Sequence, residues 1–236
     1  MSYSRKLPAR TALATAMAAF LAAPVSAQAA ADLSYTFFEV DYINLDIDDF
    51  NDGDSLREDF DDGSGWGLRG SFAFTPMFFG FAGYSETDSD VSFTNDGTTF
   101  FSSNQDVALL DVGVGLNTQL DIAGLNQPDL VVRVAYVDLD VGNLDIGGDS
   151  DPSIDDLNDD GSDGWYSDAA LRSQLLPQLE VSAGVRYTDI EDSSEFSFIG
   201  NALFEFNQNW GVNLGVDAGD DIRAYVLGVR YSFARF

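Results

Sequence analysis

Apolar and polar side chains alternate along most of the chain, in segments of about ten residues separated by Gly, Asp, Asn, Ser and Pro. Because successive side chains of a strand point to opposite faces of a sheet, a period of two predicts β-strands. In segment 105–117, Leu110 and Val112 share one face while Asp111 and Gly113 share the other. We count ten such segments, at 33–45, 65–75, 77–86, 105–117, 129–140, 164–175, 178–190, 195–206, 210–217 and 222–233.

The connections between these segments alternate between tight turns and longer acidic loops. Residues 118–128 are longer than a tight turn, and the last two connections on the long-loop side, 191–194 and 218–221, are short but still acidic. Short turns at one end and long loops at the other are typical of an up-and-down antiparallel barrel. An even strand number also brings both termini to the short-turn end, which suits closure. We predict an all-β barrel of about ten strands, with eight as the alternative. The tight connections are 75–77, 176–177 and 207–209, and the long acidic loops are 46–63, 87–104 and 141–163.

The alternation fits two kinds of barrel, a soluble lipocalin-like barrel with an apolar core and a transmembrane barrel with an apolar exterior. The apolar face carries almost no charge, and the opposite face is rich in small and polar residues. Both features favour a transmembrane barrel with lipid outside. With that assignment, Leu110→Arg should block membrane assembly and Gly113→Ser should be tolerated. Aromatic residues cluster near the strand ends, as in the two girdles of membrane barrels: Trp66, Tyr84, Tyr136, Trp165 and Tyr187 toward the long loops, and Phe74, Phe78, Phe206, Trp210, Tyr231 and Phe233 toward the short turns.

Residues 1–31 resemble a secretory signal peptide. Arg5, Lys6 and Arg10 form a positive region, a short apolar stretch follows, and small residues with Ala-x-Ala spacing come after Pro24. The apolar stretch is shorter than the roughly 18–20 residues that a spanning helix needs. We expect cleavage between about residues 27 and 31, leaving 32–236 as the barrel with acidic extracellular loops.

The composition excludes several classes of protein. The chain has 236 residues, 11 Lys and Arg against 40 Asp and Glu, and neither His nor Cys. Without His or Cys, it has no Ser-His or Cys-His nucleophile pair, no usual zinc site and no disulfide. The net charge of −29 argues against binding nucleic acid. Because these usual catalytic groups are missing, we do not expect an enzyme.

The C-terminal segment Gly228-Val229-Arg230-Tyr231-Ser232-Phe233 resembles the signature by which bacterial outer-membrane proteins are recognised for assembly. The chain continues for three residues, and Phe236 would be the final aromatic in a shifted register. Together with Phe206-Asn207-Gln208-Asn209-Trp210-Gly211, it resembles a family of small, porin-like outer-membrane β-barrels, whose xanthomonad members were proposed as quorum or elicitor factors. The resemblance implies a barrel in the bacterial outer membrane and no catalytic motif, with Gly228, Tyr231, Phe233 and Phe236 as the assembly signal.

Ionisable residues on the polar face predict a charged lumen. Buried charges persist when they are paired, and guanidinium groups pair well with carboxylates. Such a network either plugs the barrel or lines a narrow conduit, and we favour a largely filled interior. The predicted lumen residues are Glu39, Asp41, Arg69, Asp111, Arg133, Asp168, Arg172, Glu180, Arg186, Glu205 and Arg230.

The acidic loops suggest divalent cations. Asp156, Asn158 and Asp160 fit the start of a calcium loop, but its twelfth position is Ser167 instead of Glu, so only a loose calcium site remains. Residues 46–62 carry nine acids and residues 138–163 carry ten, and Ca²⁺ or Mg²⁺ could bridge them to anionic lipid. Salt adaptation explains the acidity equally well. No other cofactor is expected.

The sequence thus predicts an integral outer-membrane, porin-like barrel with a narrow or plugged polar lumen that passes small solutes or ions. The alternative is a non-conducting structural or surface-interaction barrel whose loops bind divalent cations, lipid or host factors. The expected partners are outer-membrane lipid and lipopolysaccharide, the barrel-assembly machinery and periplasmic chaperones.

Overall fold

Most of the residues that the structure describes lie in β-strands. A computed structural model describes residues 33–47, 56–60, 63–95, 98–122, 125, 128–141, 161–191, 193–220 and 222–233. Within these ranges, no helix is long and apolar enough to cross a bilayer. The described strands are β1 (Phe37–Ile47), β2 (Leu56–Phe60), β3 (Gly63–Ala73), β4 (Phe78–Asn95), β5 (Thr98–Gln119), β6 (Asp129–Val141), β7 (Ser162–Leu176), β8 (Leu179–Ile190), β9 (Ser193–Glu205), β10 (Trp210–Ala218) and β11 (Ile222–Ser232).

Ten of the described strands close into one antiparallel barrel. Around the wall they follow the order β3-β1-β11-β10-β9-β8-β7-β6-β5-β4, and β4 pairs back with β3. Closure leaves no free sheet edge at the level of the wall, which a lipid environment requires because it offers backbone groups no water. The predicted all-β, ten-strand architecture is confirmed, and the eight-strand alternative is wrong.

The prediction of a loop at 87–104 is wrong. β4 and β5 continue through this region as a paired hairpin that ends with Asn95 opposite Thr98. β2 lies within the predicted loop 46–63 and pairs with the far end of β4. β-branched and aromatic residues recur in both regions, for example Val91 and Phe93, and they favour strands despite the surrounding Asp and Ser. β4 and β5 therefore extend well past the ends of the other strands on the long-loop side of the barrel.

The short turns are closed by local hydrogen bonds. Between β9 and β10, the Asn207 side-chain oxygen accepts hydrogen bonds from the backbone N–H groups of Asn209 and Trp210, both at 2.9 Å. Such Asx-type turns are a regular use of Asn. In the longer β5–β6 connection, the Leu120 N–H donates to the carbonyl of Pro128 at 2.8 Å.

The exposed large apolar side chains lie on the outward face of the wall. Val114, Leu214 and Leu227 are exposed there, whereas Glu39 and Asn213 are fully buried on the inward face. This inverts the usual distribution of a soluble protein, in which apolar side chains are inside. A continuous exposed apolar surface of this kind marks contact with a membrane.

The expectation that Gly113→Ser is tolerated is wrong. A Cβ atom on Gly113 would lie 2.3 Å from the backbone oxygen of Val134 and 2.5 Å from the ring of Phe81. The ring of Phe81 covers this glycine from inside the barrel, so the lumen is too crowded for a serine. The face assignment itself holds, because Gly113 lies on the inward face beside Ala135.

Candidate functional site: the charged lumen

The first charged cluster centres on Glu39. Its carboxylate accepts hydrogen bonds from Arg69 Nη2 at 2.7 Å, Arg230 Nε at 2.6 Å and Asn213 Nδ2 at 3.0 Å. Arg69 Nε donates to Asp41 at 2.8 Å. Strand register produces this arrangement, since Glu39 lies directly opposite Arg230 on one side and Arg69 on the other. Two carboxylates and two guanidinium groups balance their charges in this cluster.

Gly228 makes room for the first cluster. A Cβ atom on this glycine would lie 2.3 Å from Asp41 Oδ1 and 3.2 Å from the Glu39 side chain. Gly228 lies opposite Asp41 in the β1–β11 register. Gly228, a predicted residue of the assembly signal, therefore also leaves room for two carboxylates to pack against the inner wall.

The second cluster centres on Asp168, which is almost fully buried. Arg133 binds it through two parallel hydrogen bonds, Nε to Oδ1 and Nη2 to Oδ2, both at 2.9 Å. Arg186 Nη2 lies 3.5 Å from the same carboxylate, and Arg186 Nη1 also pairs with Asp217. Asp168 stands opposite both arginines in the strand register, so the geometry again follows from the pairing of β6, β7 and β8. Bidentate guanidinium–carboxylate pairs are among the strongest hydrogen-bonded contacts.

Asp111 lies where the two clusters meet. The Tyr166 hydroxyl donates to Asp111 Oδ2 at 3.1 Å. Arg69, Arg133 and Arg186 all act electrostatically on its carboxylate. These arginines come from β3, β6 and β8, so side chains from well-separated parts of the wall converge on one level of the lumen.

The third cluster lies at the short-turn end, around Arg172. Its guanidinium binds Glu180 through Nε to Oε1 at 2.5 Å and Nη2 to Oε2 at 2.8 Å. Arg172 Nη2 also donates to the backbone oxygen of Ser34 at 2.9 Å. The Tyr35 hydroxyl donates to Asp129 Oδ2 at 2.7 Å beside this cluster. Thus the residues that precede β1 also take part in the lumen network.

The arginines differ in how much of their side chain is accessible. The accessible fraction is 39% for Arg69, 30% for Arg133 and 24% for Arg186, but 10% for Arg172 and 9% for Arg230. The carboxylates that pair with the first two, Glu39 and Asp168, have none. Since the more accessible arginine side chains lie inside the barrel, each borders a space at least as wide as a water molecule.

The structure places every predicted lumen residue on the inward face, with nine of them in the three clusters and Asp111 between the first two. Glu205 is half-buried on the same face, opposite Gly211. Sequence analysis missed five polar partners that occupy positions of the same period-two face, so the alternation could have found them. They are Tyr35, Asp129, Tyr166, Asn213 and Asp217.

The remaining predicted sites stay predictions. The rings of Tyr231 and Phe233 lie at the short-turn end, with centroids 5.2 Å apart, and Trp210 packs edge-on against Tyr231 at 5.0 Å. Phe236 and the predicted calcium residues Asp156, Asn158 and Asp160 lie outside the described residues. Within the described part of the chain, no three acidic residues are grouped as a metal site would require.

The sequence profile described as "Outer membrane protein beta-barrel domain" matches residues 14–233. The chain belongs to this family. As a member, the protein is an integral barrel of the bacterial outer membrane. No curated protein sequence matches the chain significantly.

Several solved structures are similar to this chain at low sequence identity. The KdgM porin is 14% identical with a TM-score of 0.42, and the match covers 83% of this chain and 99% of that one. The outer membrane protein OprG from Pseudomonas aeruginosa is 13% identical with a TM-score of 0.41, covering 85% and 97%. The translocator domain of the autotransporter NalP from Neisseria meningitidis is 11% identical with a TM-score of 0.47, covering 95% of both chains.

Proposed function

We propose that this outer-membrane barrel is a narrow, porin-like passage for small ions or solutes. The observation that carries the proposal is the accessible surface on Arg69, Arg133 and Arg186 inside the lumen, at 39%, 30% and 24% of their side chains. A barrel filled only by its own side chains would bury these groups as completely as it buries Glu39. Water-sized space beside fixed charges is the minimum requirement for ion passage.

The size of the barrel limits what passes. Eight-stranded barrels are filled by side chains, and wide aqueous channels need roughly 16–18 strands. With ten described strands and rings such as Phe79 and Phe81 projecting inward, the passage is narrow. Three arginines act electrostatically on Asp111, so this level of the passage carries several charges. The proposal is therefore restricted to ions and very small polar solutes.

The second candidate is a non-conducting barrel that acts through its extracellular surface. The hairpin of β4 and β5 favours it, because β5 has 22 residues and only about 9–11 are needed to span the hydrocarbon. β2 adds a further strand to this projecting hairpin. In that role the acidic loops would bind divalent cations, lipopolysaccharide or host factors.

Neither candidate is an enzyme. The outer-membrane hydrolases that share this architecture use a histidine to activate serine or water, and the chain contains none. Paired carboxylates alone could support acid–base chemistry, but Glu39, Asp168 and Glu180 are each bound by guanidinium groups.

Planar-bilayer recording of the purified protein separates the two candidates. Discrete conductance steps are expected for a passage, and the variant Arg133→Gln should shift the reversal potential in a salt gradient. Arg223→Gln is the matched control, because it removes the same charge at the far end of β11, where Arg223 pairs with Asp46 at 3.8 Å. A bilayer that stays silent with protein inserted would favour the surface-interaction role.

A further inference from the structure

Residues 33–36, here called the N-terminal latch, are unusually buried for a segment outside the sheet. The ladder of β1 begins at Phe37, yet Leu33 and Ser34 are only 7% and 9% exposed. We propose that the latch closes the short-turn, periplasmic mouth of the barrel and that releasing Tyr35 opens it. This inference rests on the proposed passage, since it names the element that gates it.

The latch reaches the opposite side of the barrel. β7 lies opposite β1 in the barrel, because it is the fifth strand from β1 in either direction around the wall, through β11 or through β3. Arg172, on β7, nevertheless donates from Nη2 to the Ser34 carbonyl at 2.9 Å. Because the contact is made by the long side chain of Arg172, the latch and this side chain together span the mouth.

Tyr35 binds several further strands. Its hydroxyl donates to Asp129 on β6 at 2.7 Å, and its ring stacks on Phe79 of β4 with centroids 5.1 Å apart. The Arg172 guanidinium carbon lies 4.5 Å from the centre of the same ring. The Tyr35 carbonyl accepts a hydrogen bond from the Ser71 hydroxyl on β3 at 2.8 Å. One residue thus connects β3, β4, β6 and β7 through the lumen.

The latch lies where the accessible surface of the lumen arginines decreases. Arg69, Arg133 and Arg186 have 24–39% of their side chains accessible, whereas Arg172 beside the latch has 10%. Arg172 precedes the tight β7–β8 turn by a few residues, and short turns of outer-membrane barrels face the periplasm. The arginine at the periplasmic mouth is therefore less accessible than those toward the middle of the lumen, as a latch over that mouth requires.

The latch can move without unfolding the barrel. Thr36 is held by the strands, because its carbonyl accepts from the Phe233 N–H at 3.0 Å and its hydroxyl accepts from the Ala73 N–H at 3.1 Å. Ser34 and Tyr35 are held instead by side chains, namely Arg172 and Asp129 across the lumen and Ser71 on the neighbouring β3. Arg172 would keep its two hydrogen bonds to Glu180 after release, so the wall retains a paired charge. Thr36 is the natural hinge of such a movement.

Conductance of latch variants provides the first test. Tyr35→Ala should raise single-channel conductance or open probability several-fold over the unmodified protein. Tyr35→Phe, which removes only the hydrogen bond to Asp129, should give a smaller rise in the same direction. Tyr42→Ala is the matched control, since Tyr42 lies on β1, which directly follows the latch, but faces outward. Heat-dependent gel migration verifies that each variant is folded.

A chemical-access measurement tests the gate independently of conduction. The chain has no cysteine, so Ser182→Cys would introduce a single thiol on the inward face, opposite Arg172 in the β7–β8 register. Labelling by a charged methanethiosulfonate reagent should be at least several-fold faster when Tyr35→Ala is added, and unchanged when Tyr42→Ala is added. Faster labelling without conductance in any variant would support the latch and overturn the passage. Conductance and labelling that are both insensitive to Tyr35 would overturn the latch and leave the passage standing.

Discussion

Glu39 and Asn213 are 174 positions apart in the sequence, yet Asn213 Nδ2 donates to Glu39 Oε1 at 3.0 Å. Both side chains are fully buried inside the barrel. The contact spans from β1 to β10 over the intervening β11, which contributes Arg230 to the same carboxylate. Closure of the barrel therefore brings the first and last parts of the chain into a single charged cluster.

Removing the charge of Glu39 should be strongly destabilising. In Glu39→Gln, Arg69 and Arg230 lose the carboxylate that both of them contact. Breaking a buried ion pair by removing one partner costs about 3–5 kcal/mol. Urea unfolding in lipid vesicles, followed by tryptophan fluorescence, measures the loss. The exposed Glu191→Gln should leave the unfolding midpoint within error, and an equal loss in both variants would contradict the central role of Glu39.

Two inward-facing glycines should respond differently to alanine. In Gly113→Ala the new methyl would lie 2.3 Å from the Val134 oxygen, whereas in Gly215→Ala its nearest neighbours are 3.4 Å away. Forcing extra volume into a packed site costs about 1–3 kcal/mol. We expect a lower unfolding midpoint for Gly113→Ala alone. Equal behaviour of the two variants would show that the lumen at Gly113 is not packed.

The outward face of β5 should contact lipid along one part of the strand and solvent along another. Leu110→Arg places a cation on the apolar face, at a cost of up to about 2–4 kcal/mol at mid-membrane. Asp106→Arg lies four positions earlier on the same face, where the residue is already exposed and charged. The yield of heat-modifiable barrel from the outer-membrane fraction should fall only for Leu110→Arg. Assembly of both variants at normal yield would be incompatible with lipid contact at Leu110.

Divalent cations should stabilise the long-loop side of the barrel. Asp88 faces Asp106 across β4 and β5 beyond the aromatic girdle, and the hydrogen bond between them, with a smaller effect of partial burial, raises the pKa of the Asp88 carboxyl. Carboxylates held this close repel each other when both are ionised, so a bound cation would relieve the repulsion. The melting temperature should rise with calcium, fall again with chelator, and respond less in Asp106→Asn. No response in the unmodified protein would eliminate the cation hypothesis and leave salt adaptation.

That stabilisation should also depend on pH. Because the pKa of Asp88 is raised, its carboxyl takes up a proton at a higher pH than an isolated aspartate. Protonation removes the repulsion and with it the cation site, so the calcium-dependent rise in melting temperature should be present at neutral pH and shrink as the pH falls through the raised pKa. Melting curves with and without calcium across mildly acidic pH measure this directly.

Strand positions and faces were predictable because period-two alternation depends only on neighbouring residues and the two environments of a sheet. The alternation alone places Arg133, Asp168 and Arg186 on one face. It failed where composition was ambiguous, at residues 87–104, because polar residues on extended strands outside the membrane are hard to distinguish from loop residues. It also failed at Gly113, since sequence shows that a position lacks a side chain but not which ring covers it.

The sequence by itself determined the strands, the inward and outward faces, the set of charges inside and the membrane in which the barrel resides. Only the tertiary structure decided which charge pairs with which, that Asp111 lies among three arginines, and that Tyr35 crosses the mouth to Asp129. The physical reason is that facing direction is a local property of a pleated strand. Pairing depends on how strand register and closure bring distant segments to the same height in the barrel.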